Sequence, residues 1–209
     1  YQYFSKGLLD TFDLVLPQLW HKKAQGKAYD KGYIHKIKFY NEKPQPPYGL
    51  YLNEGDPILA DQNVRYAIAH ATNIEKVIKT VLRNDYERLE RANDGYGDYT
   101  NNEVKARTFD LAQAEYYLDQ AGWEKRDATG VRTKNGEGLS LRVTYMSPAH
   151  TPRLVVLKEE ALKAGIEFKL QMLDGSAGFK QITEKKHQIA WMGWSAGGII
   201  PRFWQGWHS

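Results

Sequence analysis

The pentapeptide Gly193-Trp194-Ser195-Ala196-Gly197 fits the G-x-S-x-G pattern of a serine nucleophile held on a sharp turn after a strand. In that arrangement the serine opens a helix, a histidine takes its proton and an acid orients the histidine. Here Gly197, Gly198 and Pro201 all oppose a helix, no Asp or Glu follows Ser195, and only His208 remains as a base. No His-Gly-Gly-Gly oxyanion segment occurs upstream. A serine hydrolase using Ser195 would need partners from a C-terminal part not included here, and it stands only as an alternative. The six histidines, at 21, 35, 70, 150, 187 and 208, give no pair four residues apart and no H-E-x-x-H helix. Asn93-Asp94-Gly95-Tyr96-Gly97-Asp98 lacks the ligand spacing of a calcium loop and reads as a turn. With no cysteine, thiolate chemistry and disulfides are excluded. Neither a metal nor a cofactor is expected.

Recognition by aromatic surface fits the same segment better. The apolar run Ile189–Trp194 leads into Ser195-Ala196-Gly197-Gly198, then Phe203, Trp204 and Trp207, so that four of the six tryptophans fall between Trp191 and Trp207. An apolar run ending in small residues reads as a buried strand feeding a loop, and the ends of strands in open α/β sheets are where ligands collect. The alternative is that these large aromatics simply fill a core.

Composition narrows the class of partner. Of the 209 residues 42% are hydrophobic, enough to bury a substantial core. The net charge of +4 comes from 29 Lys and Arg against 25 Asp and Glu, interspersed along the chain, so no block tracks the phosphates of a nucleic acid. No segment reaches the roughly 18 consecutive apolar residues of a membrane span. The chain starts at Tyr1 and stops just after its richest motif, which is expected of a piece cut from a longer protein.

The elements that must position the aromatic segment are readable by period. Leu8, Leu9, Phe12, Leu16 and Leu19 give a partial helical pattern broken by Pro17, Tyr33–Tyr40 reads as a strand, and Tyr48–Asn53 follows as a second. Val64, Ala67, Ile68 and Ala71 predict one helix, and Asn73 caps the next over Ile74, Val77, Ile78, Val81 and Leu82. Arg65 is expected to serve a salt bridge of its helix. The stretch from Asn84 to Thr108 is polar and reads as a surface excursion, after which Asp110 and Gln113 form a capping box for a helix ending at Gly122. Leu139, Leu141, Val143 and Tyr145 alternate with polar residues, Thr151-Pro152 opens a helix running to Gly165, and Ile166, Phe168, Leu170 and Met172 alternate again. This is a βαβ unit over 139–173, expected right-handed with parallel strands, and a strand at His187–Met192 would extend its sheet. Lys185, Lys186 and His187 read as a solvated helix end.

In their order along the chain, several motifs are specific. Asp61-Gln62-Asn63-Val64-Arg65-Tyr66-Ala67-Ile68, Ile74-Glu75-Lys76-Val77-Ile78, Ala121-Gly122-Trp123, Gly130-Val131-Arg132 and Gly165-Ile166-Glu167-Phe168-Lys169-Leu170 resemble the C-terminal lobe of family 5 extracellular solute-binding proteins, the receptors of peptide-importing ABC transporters. Gly32-Tyr33-Ile34-His35-Lys36 and Trp204-Gln205-Gly206-Trp207-His208-Ser209 are most similar to the subgroup that takes oligopeptides and the peptide-nucleotide antibiotic microcin C. The resemblance implies an α/β chain that is one lobe, residues 1–209, of a type II periplasmic-binding-protein-like fold. It implies a non-enzymatic, periplasmic, monomeric receptor that closes on an extended oligopeptide or peptide conjugate and presents it to the membrane permease of an ABC transporter. Trp191, Trp194, Ser195, Ala196, Gly197 and Gly198 would then line the ligand. Receptors of free peptides in this family carry an aspartate for the ligand's α-ammonium group, and Gly197 occupies the matching position. That departure points to a ligand with a blocked N-terminus, or to a charge met from the other lobe. A receptor for another solute, such as an oligosaccharide stacked on the tryptophans, remains open.

Overall fold

The computed structural model describes residues 1–14, 16–40, 44 and 47–193. The N-terminal stretch holds two single-turn helices, α1 (Gln2–Ser5) and α2 (Lys27–Asp30), with a π-helical turn at Leu19–Lys23 between them. The rings of Tyr1, Phe4 and Phe12 cluster with centroids 5.6–6.1 Å apart. The strand expected at Tyr33–Tyr40 does not form. Tyr33, Ile37, Phe39 and Tyr40 are 70–84% exposed, and without a neighbouring strand their uneven alternation has no ladder to join.

Strand β1 is Tyr48–Leu52. Helix α3 (Gln62–Ala71) begins where the Asp61 carboxylate accepts the Asn63 amide, and α4 (Ile74–Thr80) begins where the Asn73 side chain accepts the Lys76 amide. Arg65 is tied to Glu54 at 3.3 Å and donates to the carbonyls of Leu59 and Ala60, the structural role its position suggested. The excursion after Leu82 carries only a short 3₁₀ turn at Gly97–Tyr99. Helix α5 (Leu111–Gln120) is capped by Asp110 through the Gln113 amide.

A small antiparallel sheet of β2 (Lys125–Arg126), β3 (Arg132–Lys134) and β4 (Glu137–Gly138) precedes the main unit. The main unit is β5 (Ser140–Tyr145), helix α6 (Thr151–Lys163) and β6 (Glu167–Met172), with β5 and β6 parallel in register from Ser140 opposite Glu167 to Tyr145 opposite Met172. The helix starts one residue earlier than Thr151 as a cap would place it: His150 is the cap residue, and the Thr151 hydroxyl instead meets the Tyr145 hydroxyl at 3.0 Å. Its exit turn is fixed at Gly165, whose φ of +90° suits glycine and where a Cβ would come within 2.5 Å of the Arg132 side chain. Helix α7 (Gly175–Thr183), capped by Asp174, leads to β7 (Ile189–Gly193).

The main sheet runs β1-β7-β5-β6, with β1 antiparallel to β7 and the other neighbours parallel. Leu139, Leu141, Val143, Phe168 and Ile189 bury completely or nearly so, together with Leu154, Leu157 and Ala161 of α6, Val64, Ala67 and Ile68 of α3, and Leu118 of α5. Helix α3 packs on α5, and α6 packs on β6, α4 and α3. This single core holds rigid the edge of the sheet where β5 and β7 both end.

Candidate ligand-binding site

Parallel pairing brings the C-terminal ends of β5 and β7 to one edge of the sheet, and the chain leaving β5 turns there into α6. Because β1 runs the other way, its first residue, Tyr48, lies opposite the last residue of β7, Gly193. Three elements distant in sequence therefore meet at this edge, each contributing an aromatic side chain. Trp191 on β7 is 5% exposed and forms the floor. The Tyr48 ring lies against it at 5.5 Å between centroids, and the His150 ring closes the triangle at 4.9 Å from Tyr48 and 6.1 Å from Trp191. Tyr48 is 48% exposed, so its ring forms the rim of this corner.

The polar atoms of the corner are distinctive. The Tyr48 hydroxyl and His150 Nε2 share a hydrogen bond of 3.0 Å in which either group can donate. His150 Nδ1 and Trp191 Nε1 are both buried, and neither has a hydrogen-bond partner. An indole N–H buried without an acceptor is costly and uncommon in a settled core, and such an atom marks a place where an acceptor can be received. Burial pushes the Tyr48 phenol above its ordinary value, although the Arg153 charge pulls it down. Burial, and then the Arg153 charge, push His150 below its ordinary 6.5. At neutral pH both rings are therefore uncharged, and the corner is a flat, mostly apolar wall with hydrogen-bonding atoms at its rim. Such a surface is suited to holding and orienting a ligand, and among the described residues no nucleophile with a base and an acid is assembled there.

Gly193 leaves space that the Tyr48 ring occupies, since a Cβ there would come within 2.4 Å of it. Gly193→Ala is expected to push the ring aside and break its bond to His150 at a cost of about 1–3 kcal/mol. Selective histidine labelling and NMR of the protein should show the His150 resonances move, and unchanged resonances would dissolve the proposed coupling of Gly193 to the corner.

Of the residues expected from sequence to line a ligand, Trp191 is placed at this edge, while Trp194, Ser195, Ala196, Gly197 and Gly198 lie outside the described residues. Sequence reasoning missed Tyr48 and His150. His150 carried a usable signal, because the loop after the first strand of a βαβ unit always lies at the carboxyl edge. Tyr48 carried none, since the antiparallel pairing of β1 with β7 is a long-range choice. Among the described residues no group of three or more His, Asp or Glu side chains is arranged to hold a metal. Asn93–Asp98 is a turn in which the Asp94 carboxylate accepts the amides of Glu90 and Arg91.

Against known proteins, the model of the bacterial extracellular solute-binding proteins, family 5 Middle, matches residues 2–204. The chain belongs to family 5. It is 23% identical to the uncharacterized protein YejA of Escherichia coli over 98% of the chain and 38% of that protein. It is 26% identical to the oligopeptide-binding protein AppA of Bacillus subtilis over 68% of the chain and 27% of that protein. The chain thus spans well under half the length of the curated relatives it matches. Among solved structures, AppA in complex with a nonapeptide superposes with a TM-score of 0.67 at 24% identity, covering 75% of this chain and 32% of that one. An oligopeptide-binding protein of Thermotoga maritima with bound mannohexaose superposes with a TM-score of 0.73 at 21% identity, covering 97% of this chain and 39% of that one. The mixed α/β sheet flanked by helices is therefore the fold of this family of periplasmic binding proteins.

Proposed function

We propose that this family 5 chain is one lobe, residues 1–209, of a two-lobe, monomeric, periplasmic receptor that captures extended oligopeptides or peptide conjugates for an ABC importer. The ligand lies between the lobes and favours their closed arrangement, which the membrane permease recognises, so that binding acts by its preference for closed over open. No bond is made or broken. The observation that carries this reading is the aromatic corner of Tyr48, His150 and Trp191 at the carboxyl edge of the sheet, with two buried ring nitrogens that have no hydrogen-bond partner. Membership of family 5 supports it, as does the peptide named for AppA.

In this reading Trp191 and Trp194 wall the ligand side chains, and the backbone of Ser195, Ala196, Gly197 and Gly198 bonds its main chain. With glycine at 197 a buried ammonium would lack its carboxylate there, at a cost of several kcal/mol, so the ligand carries a blocked N-terminus such as a formyl group. Native mass spectrometry of the full-length parent, purified gently from cells, is expected to show peptide masses in the complex with blocked N-termini among them. An N-formyl peptide is expected to bind more tightly than its free-amine twin. The mannohexaose named for the Thermotoga protein favours a second reading, an oligosaccharide stacked on the same rings. A sugar mass, or no ligand after peptides are added back, would move the assignment there or away from peptides altogether.

A further inference from the structure

The Trp191 indole holds a donor that the fold leaves unused. Trp191 is 5% exposed on β7, and its Nε1 is buried without a hydrogen-bond partner. An indole nitrogen only donates, so nothing but an acceptor brought to it can satisfy it. Polar ring atoms elsewhere in the fold are used. His70 Nδ1 meets the Thr108 carbonyl at 2.8 Å, the Tyr145 hydroxyl meets Thr151 at 3.0 Å, and the Tyr51 hydroxyl donates to the Pro47 carbonyl at 3.0 Å.

The Tyr48 ring lies on this indole, and little holds it there. Tyr48 opens β1, an edge strand of the sheet, and directly across the ladder stands Gly193. Gly193 has no side chain, so the ring leans diagonally onto Trp191, two residues back on β7, at 5.5 Å between centroids. Among the described residues the Tyr48 hydroxyl has one bond, 3.0 Å to His150 Nε2, and the residue is 48% exposed. A half-exposed ring held by one hydrogen bond is displaced at small cost.

We propose that Tyr48 is a movable cover, latched by His150, over a hydrogen-bonding subsite in which Trp191 Nε1 receives a carbonyl oxygen of the ligand. Swinging the ring out uncovers the indole and frees His150 Nε2 in the same movement. The indole then takes the C=O of one ligand residue and the neutral imidazole its N–H, because in an extended chain both groups of a residue point to the same side. This rests on the peptide-receptor reading and deepens it, naming the uncharged amide as the group recognised at this corner. With the ring in place the subsite is closed, so the apparent affinity is reduced by the fraction of molecules in which it is open.

Two measurements on the full-length parent, freed of endogenous ligand by unfolding and refolding, test this. The first needs no ligand: hydrogen exchange of the Trp191 indole N–H by NMR, its resonance assigned as the one lost in Trp191→Phe. Tyr48→Phe removes the latch and keeps the ring, and is expected to speed this exchange roughly two- to tenfold, the effect of one lost hydrogen bond. An indole N–H that exchanges freely in the wild type, or at the same rate in Tyr48→Phe, overturns the cover. The second is calorimetry with N-formyl tri-, tetra- and pentaalanine, and with copies carrying one thioamide, a weaker acceptor, at each position in turn. Tyr48→Phe is expected to bind the all-amide peptides roughly two- to tenfold more tightly than the wild type, because opening costs less. One thioamide position is expected to weaken wild-type binding by a similar factor and to have no effect in Trp191→Phe. Unchanged or weaker binding by Tyr48→Phe makes the ring a fixed wall. A thioamide effect that survives in Trp191→Phe, or none at any position, removes the indole from recognition. Either result overturns the subsite while leaving the peptide reading intact. If no peptide binds, the peptide reading falls, and the exchange measurement still decides the cover.

Discussion

Phe168→Ala is expected to destabilise the protein by roughly 3–5 kcal/mol, the cost of removing a fully buried aromatic ring from a close-packed core. Phe168 is 1% exposed on β6, in register with Leu141 on β5, and belongs to the core that includes Leu154, Leu157 and Ala161 of the covering helix. Those neighbours are themselves buried to within 1% of full burial, and the parallel register fixes the strand beneath them, so little can move in to fill the space. Urea unfolding of the protein should show the midpoint fall with an unchanged slope, and Phe168→Leu should recover much of the loss. A loss below about 1 kcal/mol would mean that the site collapses around the deletion and that the core is less rigid than its packing indicates.

Glu160→Gln is expected to have the next largest effect, and a pH dependence that identifies its cause. Glu160 is 2% exposed on α6, where one carboxylate oxygen accepts Lys76 at 2.7 Å and Lys163 at 2.6 Å and the other accepts Asn73 at 3.3 Å. Asn73 is the cap of α4, so this carboxylate ties the start of one helix to the flank of another. Burial alone would raise the pKa of Glu160, but the hydrogen bonds from Lys163, Lys76 and Asn73 outweigh it and hold the group at about 2 against an ordinary 4.5. A depression of that size corresponds to about 3 kcal/mol of stability. Because the folded value lies below the unfolded one, this contribution is complete above pH 4.5 and is lost as pH falls from 4.5 towards 2. The stability gap between wild type and Glu160→Gln should therefore be widest at neutral pH and shrink through that window. A gap that stays constant with pH would assign the effect to packing instead of charge. Lys76 and Lys163 are about half exposed, which lets them rehydrate in the variant and keeps the loss within a few kcal/mol.

Where the determinants are local, the sequence carries the fold. Asn73 and Asp110 were identifiable as caps because each bonds an amide three residues away, a relation that spacing alone reveals. The βαβ unit was identifiable because two strands with alternating burial flank a helix and a glycine exit. The small sheet of β2, β3 and β4 escaped notice because its strands are two or three residues long and mostly exposed. Helix α7 escaped because glycines at 175 and 178 weaken its pattern; Gly178 is there to admit Met146, which a Cβ would approach to 2.5 Å. Tyr33–Tyr40 was misread because aromatic residues raise strand propensity wherever they stand, and only a partner strand makes that propensity real. At the candidate site Trp191 was legible as part of an apolar run meeting small residues. Tyr48 was not, because only the pairing of β1 with β7 brings it there, and His150 was legible only through its place after the first strand of the βαβ unit.

That order also has a temporal side. Strand β7 is the last described element in the chain, yet it lies between β1 and β5, so both strands wait for it. During synthesis β1 is made long before Gly193, its cross-strand neighbour at Tyr48, leaves the ribosome. Until then one edge of β1 and one edge of β5 expose unpaired backbone, a state open to wrong pairing. Closing so long a loop before the sheet is rewarded makes this step slow compared with forming the βαβ unit. The nascent chain thus passes through a period in which most of its helices can form while the edge that gathers Tyr48, His150 and Trp191 does not yet exist.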